Sequence, residues 1–318
     1  MLTRRKFLEN SALALTGLTA GLSLSGCKTV KRDATEKPFR ISLNTSTIRT
    51  YKFPVEQQIE LCGAAGFDGI ELWISDIQKY IDNGGSHADL ARKLKDNRLI
   101  LENIIGFAPW ASDDEQQRKE GQLQMQRDME LTAQLGGKYI AAPLMGVKRI
   151  ERERLDEYAL RYRHILETGQ SAGVIPLLEL WGSGALYHLA DAVHIVMGTV
   201  HSDANLLLDF YHLYRGGNSF DSLQLLNVAR LPLFHINDYP DFSLREQLND
   251  SHRVYPGDGI CPFPTVLPFL FQSGFRGAFS VELFNESYCQ QPVEQMLAIT
   301  LEKTKRVLTC QVSNPDRS

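Results

Sequence analysis

The sequence lacks several features by which common functional classes are recognised. Its five cysteines include no CxxC pair, so their spacing points to neither a zinc centre nor a redox pair. The formal net charge is −4, which disfavours a nucleic-acid partner because nucleic acids bind basic surfaces. After residue 27 no segment is long and apolar enough to predict a transmembrane helix.

The first 26 residues have the pattern of an export signal. Two arginines, Arg4 and Arg5, precede an uncharged apolar stretch from Ala12 to Leu24, as is typical of a twin-arginine signal peptide. The stretch ends in Leu-Ser-Gly-Cys27, which resembles a lipobox and predicts acylation of Cys27. The alternative is a membrane-anchoring helix, but the stretch is shorter than the roughly 20 residues that a bilayer span needs. We therefore expect an exported lipoprotein, held on the periplasmic side of a membrane through Cys27.

The remainder of the chain is predicted to hold one domain. Residues 27–38 are expected to be the lipidated cysteine and a polar tether, residues 39–310 the domain, and residues 311–318 a C-terminal tail. An apolar content of 43% is enough for one large core. An oxidising compartment would permit a disulfide, but the sequence predicts no specific bridge, and we expect the remaining cysteines to be structural. They are Cys62, Cys261, Cys289 and Cys310.

Short apolar runs alternate with longer amphipathic ones along the domain, which predicts eight strand–helix units. Many helix-to-strand joints carry a glycine that suits a left-handed helix end, as at Gly66, Gly136, Gly173 and Gly274. Eight such units predict a closed (β/α)₈ TIM barrel. A doubly wound open sheet is the alternative, but no G-x-G-x-x-G turn follows the first strand. The predicted strands are 39–44, 69–73, 99–105, 138–142, 174–180, 204–209, 233–237 and 278–283; the predicted helices are 55–65, 87–96, 115–135, 151–172, 186–197, 220–228, 263–272 and 292–308.

Each of the last four predicted strands carries one ionisable side chain within an apolar run. TIM barrels have their active sites at the C-terminal ends of the strands, and a buried charged group is costly unless it is paired or ligates a metal. Singly, such a carboxylate could cap a helix, and such a histidine could be a hydrogen-bonded core residue. Their common position on consecutive strands favours a shared divalent cation. The predicted ligands are Glu179, Asp209, His235 and Glu282.

Two further residues are candidates for binding a substrate held by the metal. His212 lies three residues after Asp209 and is placed to reach a substrate oxygen, although a surface loop histidine is the alternative. Arg253 lies on the loop after the seventh strand and could hydrogen-bond a hydroxyl or carbonyl group. The alternative for Arg253 is a solvated charge.

Several segments resemble the xylose-isomerase-like superfamily of sugar isomerases and epimerases, and within it the inosose (2-keto-myo-inositol) isomerase branch. The similarity runs over almost the whole domain. The metal-ligand segments are typical of the superfamily, and the stretch Arg253-Val-Tyr-Pro-Gly-Asp-Gly259 is more specific to the branch. Further matching segments are Leu61-Cys-Gly-Ala-Ala-Gly-Phe-Asp-Gly-Ile-Glu71, Leu208-Asp-Phe-Tyr-His212, His235-Ile-Asn-Asp-Tyr-Pro-Asp-Phe242 and Val281-Glu-Leu-Phe-Asn-Glu-Ser-Tyr288.

The resemblance implies an isomerase or epimerase of a small keto-polyol or sugar. The superfamily's Glu, Asp, His and Glu ligands match the four residues named above, and Glu179 and Glu282 would also transfer the proton through a cis-enediolate intermediate. His212 and Arg253 would stabilise the enediolate oxygens, and Trp110 would close the pocket, with simple packing as the alternative for Trp110. The donor set favours Mn²⁺, with Mg²⁺, Co²⁺ or Zn²⁺ as alternatives.

Other functions remain open at this stage. Inositol-catabolic isomerases are expected in the cytoplasm, so the export signal points to a different substrate, such as a keto-sugar or keto-glycoside on which proton abstraction leads to elimination. A non-catalytic sugar-binding lipoprotein is a further alternative, which two opposed glutamates disfavour. An AP-endonuclease-like activity would need additional ligands and a basic surface, and the net charge argues against it. A homo-oligomer is compatible with the sequence, which does not determine the oligomeric state.

Overall fold

The structure, a computed structural model, describes residues 39–242 and 244–312. The predicted export signal, the lipid anchor on Cys27 and the tether lie outside the described residues, as does most of the predicted C-terminal tail. None of the described helices has the length and apolar character needed to cross a membrane.

Eight parallel strands close into a barrel in the order of the sequence, and the last strand pairs with the first. This confirms the predicted (β/α)₈ fold. The strands are β1 (Arg40–Asn44), β2 (Gly69–Trp73), β3 (Ile100–Ile105), β4 (Tyr139–Pro143), β5 (Ile175–Glu179), β6 (Leu206–Asp209), β7 (Leu233–Ile236) and β8 (Ala278–Val281).

Helices follow the strands and cover the outside of the barrel. They are α1 (Val55–Ala65), α2 (Ile74–Asp82), α3 (His87–Asp96), α4 (Glu115–Gln134), α5 (Leu155–Ala172), α6 (Leu189–Gly198), α7 (Phe210–Arg215), α8 (Phe263–Gln272) and α9 (Val293–Val312). The bounds of α1, α3 and α8 are those predicted. The expected left-handed helix ends are also present, with φ of +89° at Gly66, +78° at Gly136, +71° at Gly173 and +91° at Gly274.

Two helices differ from the sequence prediction. Helix α2 was not predicted, because it begins directly after Trp73 with no turn residue between strand and helix. In the sixth unit the helix is α7, which begins at Phe210. Asp209 caps this helix, because its carboxylate accepts a hydrogen bond from the His212 backbone N–H at 2.8 Å. The predicted helix at 220–228 is instead a pair of short 3₁₀ turns, Phe220–Leu225 and Val228–Arg230.

The apolar core has two parts. The larger part lies between the sheet and the helices. A smaller cluster fills the barrel interior and contains one residue from each of β3 to β8: Ile105, Ala141, Leu177, Leu207, Leu233 and Ala278. Since side chains two residues apart share a face of a strand, this cluster forms an apolar floor directly below the inward-facing side chains at the C-terminal ends of the strands.

Candidate active site

Strand alternation places the predicted ligands directly above the apolar floor. Glu179, Asp209 and His235 each lie two residues after a floor leucine on β5, β6 and β7. Glu282 is the first residue after β8. All four side chains are buried, with exposures of 4%, 1%, 0% and 5% in the order of the sequence. The sequence prediction that they meet at one end of the barrel agrees with this placement.

The imidazole of His235 is the centre of the group. Its Nδ1 lies 3.2 Å from Glu282 Oε2, 3.8 Å from Asp209 Oδ2 and 3.9 Å from Glu179 Oε1. One ligand atom each from Asp209, His235 and Glu282 lie within 4.8 Å of one another. Three of the predicted ligands therefore form a compact group that could hold a metal ion, and Glu179 lies beside them.

The chemistry of these side chains fits a divalent cation. Within the described residues, Nδ1 of His235 and Oε2 of Glu179 have no hydrogen-bond partner although both atoms are buried, a costly arrangement unless something else binds them. The guanidinium of Arg253 contacts three carboxylates, those of Asp209, Glu282 and Asp250, so two negative charges are left over. One divalent ion would neutralise them, and oxygen donors with one imidazole suit Mn²⁺ and Zn²⁺.

The two glutamates have opposite pKa shifts. Burial raises the pKa of Glu179 to about 8, and the negative charge of Glu282 adds to the rise although His235 opposes it. Burial alone would raise the pKa of Glu282 as well, but His235 and Arg253 hold it well below its ordinary value. For His235, burial favours the neutral ring, yet Glu71 and Glu282 raise its pKa well above the ordinary value.

Arg253 is a buried part of this site, so the solvated charge considered from the sequence is excluded. It is 1% exposed, and its Nη1 donates to Asp209 Oδ2 at 2.9 Å and to Glu282 Oε2 at 2.7 Å. Its Nη2 donates to Asp250 Oδ1 at 2.7 Å. The guanidinium carbon also lies 4.6 Å from the centre of the Tyr211 ring. These contacts hold the guanidinium in a fixed position next to Asp209 and Glu282.

His212 is buried as well and lies next to Arg253. Its Nε2 is 3.1 Å from Nη2 of Arg253, which can only donate. Burial lowers the pKa of His212 to about 4, and the positive charge of Arg253 adds to the shift. His212 is therefore a neutral imidazole at pH 7 whose proton is on Nδ1, an atom without a protein partner in the described chain.

Four polar residues of the first three strands and of the β7 end were missed by the sequence analysis. Asn44 donates to Glu282 Oε1 at 3.0 Å, and Asn237 donates to Asp209 Oδ2 at 2.9 Å. Glu71 lies 3.1 Å from His235 Nε2 and accepts from Asn103 at 2.8 Å. Glu71 and Asn103 also interrupt apolar strands, and this is the sequence signal that could have identified them.

The site opens into a cavity of ≈ 210 Å³ at the C-terminal ends of the strands. The ionisable side chains that line it are Glu179, His212, Asp250, Arg253 and Glu282, and the rest of the lining is largely aromatic. That remaining lining consists of Trp73, Ile105, Phe107, Trp181, Ser183 and Phe284.

The prediction that Trp110 closes the pocket is corrected by its placement. Trp110 is 0% exposed, packs against Tyr162 with ring centroids 5.9 Å apart, and does not line the cavity. Its position just after β3 suggested the barrel mouth, but the chain turns there and puts the indole into the layer between sheet and helices. Trp73, Phe107 and Trp181 line the cavity instead, and their rings pack against one another.

Comparison with known families identifies the fold family. A model of the family described as xylose isomerase-like TIM barrel matches residues 59–306, which is well over half of the chain. The chain belongs to the xylose isomerase-like TIM barrel family. The resemblance noted from the sequence motifs is thereby confirmed.

The chain is also similar to an isomerase and to a dehydratase. The inosose isomerase of Bacillus velezensis is 26% identical over 260 residues, which cover 80% of this chain and 92% of that protein. The 3-dehydroshikimate dehydratase of Pseudomonas putida is 21% identical over 249 residues, which cover 76% of this chain but only 38% of that protein.

Solved structures share the barrel fold. The IolI protein with a bound zinc atom superimposes with a TM-score of 0.79 at 24% identity, over 86% of this chain and 99% of that one. L-ribulose 3-epimerase has a TM-score of 0.66 at 18% identity, over 88% of this chain and 99% of that one. At these identities the similarity shows a common fold.

Proposed function

We propose that the protein is a divalent-metal-dependent isomerase or epimerase of a small keto-polyol or keto-sugar, acting through a cis-enediolate. The observation that carries the proposal is the pair Glu179 and Glu282, which flank His235 and line a small cavity. A protein that only binds a sugar has no need of two buried carboxylates around one imidazole. The alternative of a silent sugar-binding lipoprotein is therefore disfavoured.

Glu179, Asp209, His235 and Glu282 are the proposed ligands of the cation. Support comes from the unpartnered buried atoms, from the excess of negative charge, and from the zinc atom in the similar IolI structure. When bound, a divalent cation would polarise a ketone and its neighbouring hydroxyl and so acidify the proton on the carbon that carries this hydroxyl. Mn²⁺ remains the first choice on the donor set, and Zn²⁺ is the second.

Glu179 and Glu282 are the proposed acid and base. One carboxylate removes the carbon-bound proton, and the other returns a proton to the adjacent carbon in isomerisation or to the opposite face in epimerisation. Their opposite surroundings suit complementary roles, since Glu282 is held by Arg253 and Asn44 whereas Glu179 Oε2 has no partner among the described residues. Unequal carboxylates of this kind can exist in different protonation states at one pH.

Arg253 and His212 are the proposed binders of the developing negative charge. The guanidinium is fixed by Asp250 and by the Tyr211 ring, so it needs no reorganisation when charge appears on a substrate oxygen. His212 offers a neutral Nδ1–H, which stabilises an enediolate oxygen without releasing a full proton.

The cavity favours a compact, ring-shaped substrate. Its volume of ≈ 210 Å³ lies below the usual range of about 300–1,000 Å³ for ligand pockets, which leaves room for one small ring and argues against a whole keto-glycoside. A cavity lined by both polar and aromatic side chains suits a molecule with hydroxyls on its edge and an apolar ring face. A cyclic keto-polyol, as in the name of the inosose isomerase relative, has this character.

A dehydratase is the second candidate, because a 3-dehydroshikimate dehydratase is among the relatives. The first step would be the same removal of a proton next to a ketone. The reaction would differ afterwards, since a hydroxyl group on the next carbon would leave as water. The products distinguish the two reactions directly.

We also propose that the protein is exported and anchored through Cys27. The support is the arginine pair, the apolar stretch and the lipobox of residues 1–27. Incorporation of labelled fatty acid into the wild-type chain, and its absence from a Cys27→Ala variant, would test the anchor. Labelling of both proteins, or of neither, would contradict it.

The function is tested by hydrogen exchange in D₂O. NMR would follow the carbon-bound hydrogens of inososes, ketohexoses and dehydroshikimate with wild-type enzyme loaded with Mn²⁺ or Zn²⁺. We expect metal-dependent deuterium uptake that falls at least about 10³-fold in Glu282→Gln, since loss of acid–base catalysis alone is worth about 10²–10⁴. Glu286→Gln, an exposed carboxylate outside the cavity, is the matched control. Tight metal binding without exchange of any substrate would contradict the proposal.

A further inference from the structure

The carboxylate of Glu71 lies inside the barrel, and no lysine or arginine pairs with it among the described residues. It projects from the middle of β2, is 0% exposed, and among the described residues its ionic contact is with His235. The nearby Arg40 pairs with Glu102 instead. A buried carboxylate in this position is expensive, so a function that requires it is a better account than core packing.

The imidazole of His235 is held between Glu71 and the three cavity carboxylates. Nε2 lies 3.1 Å from both carboxylate oxygens of Glu71, whereas Nδ1 faces Glu282, Asp209 and Glu179. Because an ionised carboxylate can only accept a hydrogen bond, it selects the ring in which Nε2 carries the proton. The lone pair of Nδ1 is then directed at the proposed cation.

An irregularity in the sheet braces Glu71. The register between β2 and β3 shifts after Ile70, so that Glu71 is opposite Asn103 and Glu102 is passed over. This shift turns Glu102 towards Arg40 and brings the Asn103 amide to Glu71 Oε2 at 2.8 Å. Bulges of this kind re-aim side chains next to active sites. The local break in β2–β3 pairing thus helps to hold Glu71 against His235, a proposed metal ligand.

We propose that Glu71, braced by Asn103 across the β2–β3 bulge, is a positioning residue that fixes the His235 ring for metal binding. The inference rests on the proposed function, in which His235 is a ligand. Glu71 touches neither metal nor substrate in this scheme and acts only through the imidazole. Partners of this type typically contribute 10- to 100-fold to metal affinity.

The test measures metal affinity and ring geometry separately from turnover. Isothermal titration with Mn²⁺ and Zn²⁺ should show affinity about 10- to 100-fold weaker in Glu71→Gln than in wild type. In the Zn²⁺-loaded protein, ¹⁵N NMR of the imidazole should show a protonated Nε2 and a metal-bound Nδ1 in wild type, and a changed pattern in the variant. Glu102→Gln is the matched control, because it removes an equally buried carboxylate on the same bulge that does not contact His235. It should bind metal as wild type does.

The outcomes separate this inference from the function on which it rests. Wild-type affinity and unchanged ring signals in Glu71→Gln would overturn the inference and leave the proposed function intact. Weakened affinity without proton exchange on any substrate would overturn the function and keep the positioning role. No metal binding by the wild type would overturn both. If Glu71→Gln does not fold, Asn103→Ala replaces it, with a smaller loss of affinity expected and an equal affinity contradicting the inference.

Discussion

At the scale of single residues, the site shows how one side-chain type acquires different properties from its contacts. Glu179 and Glu282 are both buried, but only Glu282 has a guanidinium and an asparagine amide on its oxygens. The pKa of Glu282 is therefore lowered, whereas that of Glu179 is raised to about 8. His235 lowers the pKa of both glutamates, and Arg253, which also contacts Asp209 and His212, lowers that of Glu282 further.

The first prediction concerns Arg253→Lys. A lysine has one compact ammonium group and cannot reach His212, Asp209, Glu282 and Asp250 together. We expect the rate of deuterium exchange to fall by about 10²–10³, the usual loss on removing one preorganised donor, with a smaller change in apparent substrate affinity. Steady-state exchange rates at several substrate concentrations measure both quantities.

Arg215→Lys is the control for loss of a guanidinium as such. Arg215 donates to the backbone oxygens of Leu248, Gly182 and Glu246 and does not line the cavity. A comparable fall in rate in this variant would show that the effect of Arg253→Lys is structural. A rate close to that of the wild type in Arg253→Lys would remove Arg253 from the mechanism.

At the scale of helices and strands, the strand–helix repeat could be predicted from the sequence, whereas helix α2 and the β2–β3 bulge could not. Apolar runs and glycines located all eight strands and most helices, because burial and left-handed helix ends leave direct traces in the sequence. Helix α2 leaves no such trace, since Trp73 is the last residue of β2 and also precedes the helix. The β2–β3 bulge depends on which side chains find partners across the sheet, and a single strand does not encode that.

Helix α4 carries a buried acid that yields the second prediction. Asp128 is 7% exposed, its Oδ2 lacks a hydrogen bond in the described structure, and burial raises its pKa to about 6. A carboxyl whose folded pKa exceeds its unfolded value of about 3.9 stabilises the fold below pH 4 and loses that stability as pH rises through 6. Asp128→Asn removes the titration while keeping the shape.

The measurement for Asp128 is urea unfolding at a series of pH values from 4 to 8. The free energy of unfolding of the wild type should fall relative to that of Asp128→Asn by about 2–3 kcal/mol across this range, at about 1.4 kcal/mol per pKa unit. Other acid effects are common to both proteins and cancel in the difference. Parallel stability curves would show that Asp128 does not titrate as described.

At the scale of the whole molecule, barrel closure brings together residues that are remote in sequence. Asn44 of β1 contacts Glu282 after β8, 238 positions away, and Glu71 of β2 contacts His235 of β7, 164 positions away. The proposed ligands on β5 to β8 could be predicted from the sequence, because each lies near the C-terminal end of its strand. Glu71 and Asn103 also interrupt apolar strands, but the sequence does not show what they contact, since those contacts exist only once the barrel is closed.

The last prediction follows from this closure. The proposed ligands come from β5, β6, β7 and the end of β8, so a bound cation links four strands and stabilises only the folded state. Metal present at 100 times its Kd should add about 2.7 kcal/mol to the free energy of unfolding, or roughly 5–10 °C in Tm for a domain of this size. Thermal unfolding of EDTA-treated protein, before and after addition of Mn²⁺ or Zn²⁺, measures the shift. Glu282→Gln should lose most of the gain and Glu286→Gln should keep it, because Glu282 faces His235 Nδ1 whereas Glu286 is exposed outside the cavity. Equal gains in both variants would place the cation elsewhere on the protein, and the assignment of the ligand set would then be wrong even if the enzyme requires a metal.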